Sequence, residues 1–118
     1  NLSVPDAELA IEVLDCIEIV GIFLDNAVEA LSIEKDKSVI LEMFAMEQKI
    51  EIRVKNVSPY YENDEIAKFF QYNYSTKGKN RGIGLAKIKD LQKKYKFDIL
   101  VEMQEIHNKN WISFSVIK

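Results

Sequence analysis

The hydrophobic positions near the start of the chain follow a helical period. From Asp15, a residue suited to the N-cap, apolar residues recur every three or four positions, which predicts a helix that rests one face on a core and ends near Ser32. That face comprises Ile17, Val20, Leu24, Ala27, Val28 and Leu31. The acidic residues of the same helix fall on another line, typical of a face exposed to water. They are Asp15, Glu18, Asp25 and Glu29.

One polar residue interrupts the apolar surface of this helix. Asn26 shares a line with Phe23 and Ala30, so we expect its amide to be buried and to need partners. Two interpretations are open. The amide can bond to a neighbouring loop, or its carbonyl oxygen can be a ligand for a hard cation such as magnesium, which prefers oxygen ligands.

Strand patterns follow the helix. The runs 38–45 and 49–57 predict a β-hairpin, because in the second run apolar residues alternate with charged ones. A short helix over 65–70, capped by Asn63 or Asp64, should come next. We expect its inward side chains to be Ile66, Phe69 and Phe70. A second hairpin is predicted from strands 97–105 and 111–117 with a turn at 107–110.

A basic loop precedes the last predicted helix and holds three of the four glycines. This helix should run from Gly82 to about Tyr95, with Leu85, Ala86, Ile88 and Leu91 on its apolar face. The first N–H groups of a helix have no partner within it and its dipole is positive there, so a phosphate chain would fit beside the glycines. Lys77, Lys79 and Arg81 add positive charge just before. The alternative is a flexible connection capped by glycine.

Length and composition narrow the possibilities. With 118 residues and 47% hydrophobic content, we expect residues 1–118 to form a single domain. The net charge of -3 disfavours a nucleic-acid binder. Cys16 is the only cysteine, which excludes an internal disulfide. His107 is the only histidine and lies in a predicted turn, and no catalytic group is identified.

The order of elements predicts a fold class and an origin. A helix, a hairpin, a short helix, a glycine-rich loop, a helix and a hairpin predict an α+β fold, a two-layer α/β sandwich with a mostly antiparallel sheet and helices on one face. No run of residues is long and apolar enough to cross a membrane, and no initiating methionine is present. We therefore expect a domain cut from a longer protein.

Three segments resemble one family. The segment 21–30, Gly-Ile-Phe-Leu-Asp-Asn-Ala-Val-Glu-Ala, resembles the N box of the GHKL ATP-binding superfamily. The segments 75–78, Ser-Thr-Lys-Gly, and 81–85, Arg-Gly-Ile-Gly-Leu, resemble its lid and second glycine box. Within that superfamily the chain is most similar to the catalytic domain of sensor histidine kinases, in the peptide-pheromone quorum-sensing subgroup of Gram-positive bacteria that includes the staphylococcal accessory gene regulator kinase.

The resemblance implies ATP and Mg2+ as cofactors. Asn26 would hold the magnesium that bridges the phosphates, and Asn56 falls where the superfamily usually has the aspartate that reads the adenine amino group. Lys77 and Arg81 would neutralise phosphate charge. The full nucleotide-binding set implied is Asn26, Asn56, Thr76, Lys77, Gly78, Arg81, Gly82, Ile83, Gly84 and Leu85.

The chain departs from the family pattern twice. The segment 56–60, Asn-Val-Ser-Pro-Tyr, contains none of the glycines of the usual Asp-x-Gly-x-Gly motif, and Asn56 can accept a hydrogen bond only without a charge. Ile22 stands where hydrolysing members carry a glutamate as general base. The second departure favours phosphoryl transfer to a protein acceptor over hydrolysis of ATP.

The resemblance also implies partners. The acceptor would be a histidine on a separate dimerisation domain of the same kinase, and a response regulator would follow downstream. The parent would be a homodimeric integral membrane protein with this domain in the cytoplasm, and the fragment alone would be monomeric. Three alternatives stay open: a module of the same fold with degenerate nucleotide binding that acts in protein interaction, a GHKL ATPase or anti-sigma-type serine kinase, and a nucleic-acid binder that uses the basic cluster 77–94.

Overall fold

A computed structural model describes residues 10–46, 49–71 and 81–118 of the chain. Three helices carry one face of the fold: α1 (Val13–Ala30), α2 (Asn63–Lys68) and α3 (Arg81–Tyr95). Four strands form the sheet: β1 (Val39–Met46), β2 (Lys49–Val57), β3 (Asp98–Ile106) and β4 (Lys109–Ile117). A single 3-10 turn, Leu31–Ile33, continues α1. None of the helices in these ranges is long and apolar enough to cross a membrane.

The strands form one sheet in the order β1-β2-β4-β3. Each neighbouring pair is antiparallel, and the two hairpins of the chain meet where β2 pairs with β4. α1 packs on β2 and against α3. This is the two-layer α+β arrangement that the sequence predicts, with both hairpins in the expected places.

The alternation in β2 sets which face of the sheet is covered. Ile52 and Val54 are fully buried beneath the helices. Arg53 points to the opposite face, where it donates a hydrogen bond to Ser115 Oγ (3.2 Å) and lies 3.5 Å from the carboxylate of Glu42. A strand that has one apolar and one charged face lies with its apolar face on the core, as the sequence predicts.

The predicted face of α1 is corrected by the structure. Its buried residues are Ile19, Phe23 and Ala27, whereas Ile17 and Val28 are 62% and 65% exposed. Apolar residues cover more than half of the circumference of this helix, so spacing alone allows more than one choice of inner face. The sheet covers the arc centred on Phe23, whose ring lies 5.8 Å from that of Phe114 on β4.

The predicted N-caps of α1 and α2 are also wrong. Asp15 lies inside the first turn of α1, and the N-cap residue is Glu12. α2 likewise begins after Glu62, so that Asn63 and Asp64 lie within the helix. Neither cap residue bonds the helix through its side chain. The inward packing of α2 is confirmed: Phe69 is buried, and Ile66 and Phe70 pack against the core.

The predicted apolar face of α3 is confirmed. Leu85, Ala86 and Ile88 are buried, and Leu91 is half-buried against the core. The helix therefore rests on the same core as α1. The turn of the second hairpin is tighter than expected, because only two residues form it, both with positive φ angles (51° for His107 and 64° for Asn108).

Candidate functional site

An unpaired buried acceptor marks one end of the sheet. Asn56 lies near the end of β2, between Val39 on β1 and Ile112 on β4, and is 1% exposed. Its Nδ2 donates a hydrogen bond to the Val57 carbonyl oxygen (3.0 Å). Its Oδ1 is buried and has no hydrogen-bond partner in the described part of the chain.

Such an atom needs an explanation. A buried acceptor without a donor costs about 1–3 kcal/mol, and most buried polar groups in native proteins are paired. A ligand that brings an N–H group to this position would satisfy Asn56 Oδ1. Asn56 is one of the two asparagines that the sequence singles out, and its place on the inner face beneath the helices suits a ligand held between sheet and helices.

The contacts between α1 and α3 show how the second asparagine is placed. Near the start of α1, Asp15 Oδ2 accepts a hydrogen bond from Lys94 Nζ (3.1 Å) and another from the Tyr95 hydroxyl. Further along, Glu18 lies 3.3 Å from Lys87 Nζ. The two helices therefore run antiparallel, and this end of α1 is tied to the end of α3.

The antiparallel contacts continue toward Asn26. A Cβ built on Gly84 would lie 3.5 Å from Ile22 Cγ2, so the first turn of α3 lies against α1 at that residue. Asn26 is half-buried and one helical turn beyond Ile22 on the same side of α1. This spacing puts Asn26 level with the N-terminus of α3, which begins at Arg81.

The N-terminus of α3 lies where the sequence predicts an anion site. Its first N–H groups have no partner within the helix, and the helix dipole is positive at this end. Gly84 adds no side chain to the surface of the first turn, and the buried Leu85 packs that turn against the core. Arg81, Gly82 and Ile83 belong to the same turn, with their side chains outside the described set. Thr76, Lys77 and Gly78 lie outside the described residues.

The two asparagines are brought to the same end of the fold. Only residues 34–38 separate the 3-10 turn after α1 from Val39, the cross-strand partner of Asn56. Lys37 Nζ donates to the carbonyl oxygens of Leu31 (2.6 Å) and Glu34 (2.9 Å), which closes the end of the helix. The C-terminal half of α1 therefore runs toward the end of the strands where the orphaned acceptor lies.

An ion pair ties this end to the second hairpin. Lys109 Nζ lies 2.5 Å from Asp36 Oδ2, and the Ser58 N–H donates to the Asn110 carbonyl oxygen (3.0 Å). The hydrogen bond from Lys109, with a second from Ser38, holds the pKa of the Asp36 carboxyl below its usual value. These contacts position the backbone around the site without entering it.

The donor set fits a cation shared with a ligand. The described residues contain no group of three or more His, Cys, Asp or Glu side chains that could hold a metal by itself. The Asn26 carbonyl oxygen is a suitable single ligand for magnesium, which keeps waters and takes phosphate oxygens as its other ligands. Asn26 would hold such an ion through its carbonyl oxygen, and the ion would supply positive charge to a phosphate chain.

The other end of α1 is structural. The hydrogen bond from Tyr95, followed by that from Lys94, lowers the pKa of the Asp15 carboxyl. Burial, with a smaller contribution from Asp15, raises the pKa of the neighbouring Cys16 thiol. A thiol with a raised pKa is a poor nucleophile, so Cys16 is not a catalytic candidate. Two members of the predicted acidic face, Asp15 and Glu18, thus pair with α3.

Sequence reasoning missed the Val57 carbonyl oxygen, which fixes the orientation of the Asn56 amide. A backbone carbonyl carries no sequence signature of its own. The only available signal is that the residue after Asn56 is the last of its strand, one position beyond the last pair with β1.

Comparisons with known proteins identify the family and the fold. A family model described as the GHKL domain matches residues 11–116. The chain is similar to the sensor protein CitS of Bacillus subtilis, with 38% identity over 74 residues. That alignment covers 63% of this chain and 14% of CitS, so the similarity concerns a small part of a longer protein.

The fold is similar to solved structures of the catalytic domain of the histidine kinase ThkA in nucleotide-free forms. One of them superposes with a TM-score of 0.62 at 20% identity, covering 87% of this chain and 66% of that one. A second form has the same TM-score and identity and covers 91% of this chain and 69% of that one. At this level of identity the likeness shows the fold, which is the α+β fold described above.

Proposed function

The chain belongs to the GHKL domain family, and on that premise we propose that it is the ATP-binding catalytic domain of a sensor histidine kinase. In this role it binds ATP with magnesium and delivers the γ-phosphoryl group to a histidine on a separate dimerisation domain. The likeness to CitS and to the ThkA catalytic domain supports the kinase assignment. The observation that carries it is the buried, unpaired Asn56 Oδ1 beneath the helices.

Asn56 is the residue that reads the nucleobase. Its orphaned Oδ1 accepts a hydrogen bond from the adenine amino group, which removes the cost of leaving that oxygen buried without a partner. The flanking inner-face residues Val39 and Ile112 provide apolar surface for the ring. The absence of glycines in the segment 56–60 means that backbone approach to the base differs from the usual family pattern.

The N-terminus of α3 holds the phosphate chain. Its free N–H groups donate to phosphate oxygens, and Gly82 and Gly84 allow the close approach that side chains would prevent. Lys77 and Arg81 supply positive charge to the phosphates, and Thr76, Gly78, Ile83 and Leu85 complete the binding segment. This role rests on the placement of α3 beside α1 and on the resemblance of the loop to the family's lid.

Asn26 holds magnesium through its carbonyl oxygen. When bound, the ion neutralises charge on the phosphate chain and so assists transfer of the γ-phosphoryl group. The position of Asn26 level with the start of α3 supports this role. Asn26 itself acts by orienting its carbonyl oxygen toward the phosphates.

Phosphoryl transfer is favoured over hydrolysis. Ile22 lies one turn before Asn26 and beside Gly84, where a carboxylate would be needed to activate water. An aliphatic side chain there cannot take a proton. The acceptor histidine belongs to another domain, because His107 is exposed in a hairpin turn.

The wider context follows from the resemblance to the peptide-pheromone quorum-sensing subgroup. The parent is an integral membrane protein of a Gram-positive bacterium, with this domain in the cytoplasm, and acts as a homodimer. Its phosphoryl group passes to a response regulator. The isolated domain, without its acceptor histidine, binds nucleotide as a monomer and does not phosphorylate itself.

The test is a titration of the chain with a non-hydrolysable ATP analogue, with and without magnesium. Wild type should bind only with magnesium, and Asn26→Ala should weaken binding at least tenfold, or about 1.4 kcal/mol. The control is Asp25→Ala, a neighbouring exposed residue on α1, which should bind as wild type does. Equal affinities for wild type and Asn26→Ala, or binding that ignores magnesium, would contradict the proposal and favour a degenerate module.

A further inference from the structure

The Asn56 amide has only one favourable orientation. Nδ2 donates to the Val57 carbonyl oxygen at 3.0 Å, so the opposite side of the amide presents Oδ1. If the amide were turned over, Oδ1 would face the Val57 carbonyl oxygen at about the same distance, and two acceptors would repel each other. The carbonyl therefore determines which group of Asn56 faces the ligand.

The direction of the Val57 carbonyl follows from the strand pairing. β1 pairs with β2 up to Val39 and Asn56, and Val57 lies one residue beyond that last pair. On the other side, Val57 is opposite Trp111 in the pairing of β2 with β4. In the pairing of β2 with β4, only every second residue exchanges backbone hydrogen bonds with the other strand. Ser58 belongs to that set, because its N–H donates to the Asn110 carbonyl oxygen, and Val57 does not. The Val57 carbonyl thus points toward β1, beyond its last pair.

Among the residues that the structure describes, the inner-face neighbours of Asn56 are apolar. Its cross-strand neighbours on the inner face are Val39 and Ile112, and the inward residues of α1 above β2 are apolar. The basic side chains of β2 nearest to Asn56, Arg53 and Lys55, lie on the opposite face, where both approach Glu42. A negative charge at position 56 would be buried against these apolar neighbours, and neither Arg53 nor Lys55 would pair with it.

We propose that the Val57 carbonyl oxygen is the positioning group of the nucleobase site. By accepting a hydrogen bond from Nδ2, it makes Asn56 present Oδ1, an acceptor, to the ligand. Position 56 of this chain therefore requires an amide and not a carboxylate. This rests on the proposed function in its nucleotide part. Because Asn56 presents Oδ1 to the ligand, it selects a base that carries an exocyclic amino group. A carboxylate at position 56 would direct one oxygen at the Val57 carbonyl oxygen and bury a charge.

The first arm of the test measures base selectivity in the wild-type chain. The probes are ATP and inosine triphosphate, which has a carbonyl oxygen in place of the adenine amino group, each with magnesium. We expect ATP to bind at least tenfold more tightly, and Asn56→Leu, which has neither donor nor acceptor, to lose this preference. Equal binding of the two nucleotides to wild type would show that the amide turns over and would overturn the inference while leaving the proposed function intact.

The second arm measures stability without nucleotide. Asn56→Asp should have a lower urea midpoint than wild type at pH 8, and the deficit should shrink toward pH 5. The reason is that burial raises the pKa of the new carboxyl, and its protonated form can again donate to the Val57 carbonyl oxygen. The matched control is Asn63→Asp at the exposed start of α2, which should change the midpoint little at either pH.

The outcomes separate the two proposals. If Asn56→Asp is as stable as wild type at pH 8, the carbonyl does not require a donor and the inference is overturned, whatever nucleotides bind. If neither triphosphate binds to wild type, the proposed function and the selectivity both fail, and the stability arm still decides whether position 56 requires an amide.

Discussion

At the scale of single residues, the clearest functional signal is a missing partner. Asn56 Oδ1 is buried and unpaired among the residues that the structure describes, while its amide nitrogen donates to the Val57 carbonyl oxygen. The sequence could suggest the residue only through a family resemblance. Its orientation depends on the end of a strand pairing, which a single sequence does not show. The same holds for Asp15, predicted as a cap but bonded to Tyr95, which is 80 residues away in the chain.

Tyr95 contributes to stability through its hydroxyl group. The hydroxyl donates to Asp15 and accepts from the Glu12 N–H (3.3 Å), so it joins the end of α3 to the start of α1. Tyr95→Phe should lower the free energy of unfolding by about 0.5–1.5 kcal/mol, the net contribution of a typical hydrogen bond. Urea denaturation followed by circular dichroism measures this change. Tyr60→Phe, at a residue that is 59% exposed, is the control and should have no effect.

Asp15 should make part of the stability depend on acid pH. Its pKa is lowered in the folded state by the Tyr95 hydroxyl and by Lys94, so its contribution is present above the unfolded pKa near 3.9. That contribution is lost as the pH falls through the folded-state value. In Asp15→Asn, the free energy of unfolding should be lower at pH 6 and should fall less steeply below about pH 4. Identical acid profiles would show that the carboxylate is not held by these donors.

At the scale of elements, β2 and α1 show when the hydrophobic pattern of a segment predicts its buried face and when it does not. β2 alternates cleanly, so both its limits and its buried face are predictable from sequence. α1 is apolar around more than half of its circumference, and the sequence alone selects Ile17 and Val28 as inward residues although both are exposed. Which arc faces the core is decided by the sheet and by α3, and these contacts are not visible in a helical period.

The two arcs of α1 should respond differently to truncation. Ile19 is fully buried, so Ile19→Ala should cost about 2–5 kcal/mol through the lost burial and the cavity left behind. Ile17 is 62% exposed, and Ile17→Ala should change the free energy of unfolding by about 0.5 kcal/mol or less. Both variants should keep helix α1, and they differ only in whether the truncated side chain lies on its buried or its exposed side. Equal losses in urea denaturation would mean that the inner face of α1 is wrongly assigned.

At the scale of the whole molecule, the sheet order determines where the structure is most resistant to opening. β2 and β4 are each paired on both sides, whereas β1 leaves Leu41 and Met43 more than 40% exposed on its inner face. Native-state amide hydrogen exchange should therefore be slowest in β2 and β4 and faster in β1. The nucleotide-binding residue of the sheet, Asn56, then lies on a rigid strand. Faster exchange in β2 than in β1 would contradict this order.

The overall fold could be predicted from the sequence, whereas the long-range contacts around the candidate site could not. The order of helices and hairpins predicts the two-layer architecture because each element carries its own period. The placement of Asn26 relative to the N-terminus of α3 depends on the antiparallel packing of α1 and α3, and that of Asn56 on the pairing of β2 within the sheet. Those long-range contacts are properties of the folded chain, and hydrophobic periods do not show them.

The central claim is that the N-terminus of α3 binds the phosphates of ATP, and two glycines test it most directly. A Cβ at Gly84 would meet only an ordinary contact with Ile22, and a Cβ at Gly21 would meet nothing within 4 Å, so the fold should accept alanine at both positions. In a titration with magnesium and an ATP analogue, Gly21→Ala should bind as wild type does, and Gly84→Ala at least tenfold more weakly with an unchanged circular dichroism spectrum. Wild-type affinity in Gly84→Ala would contradict the claim.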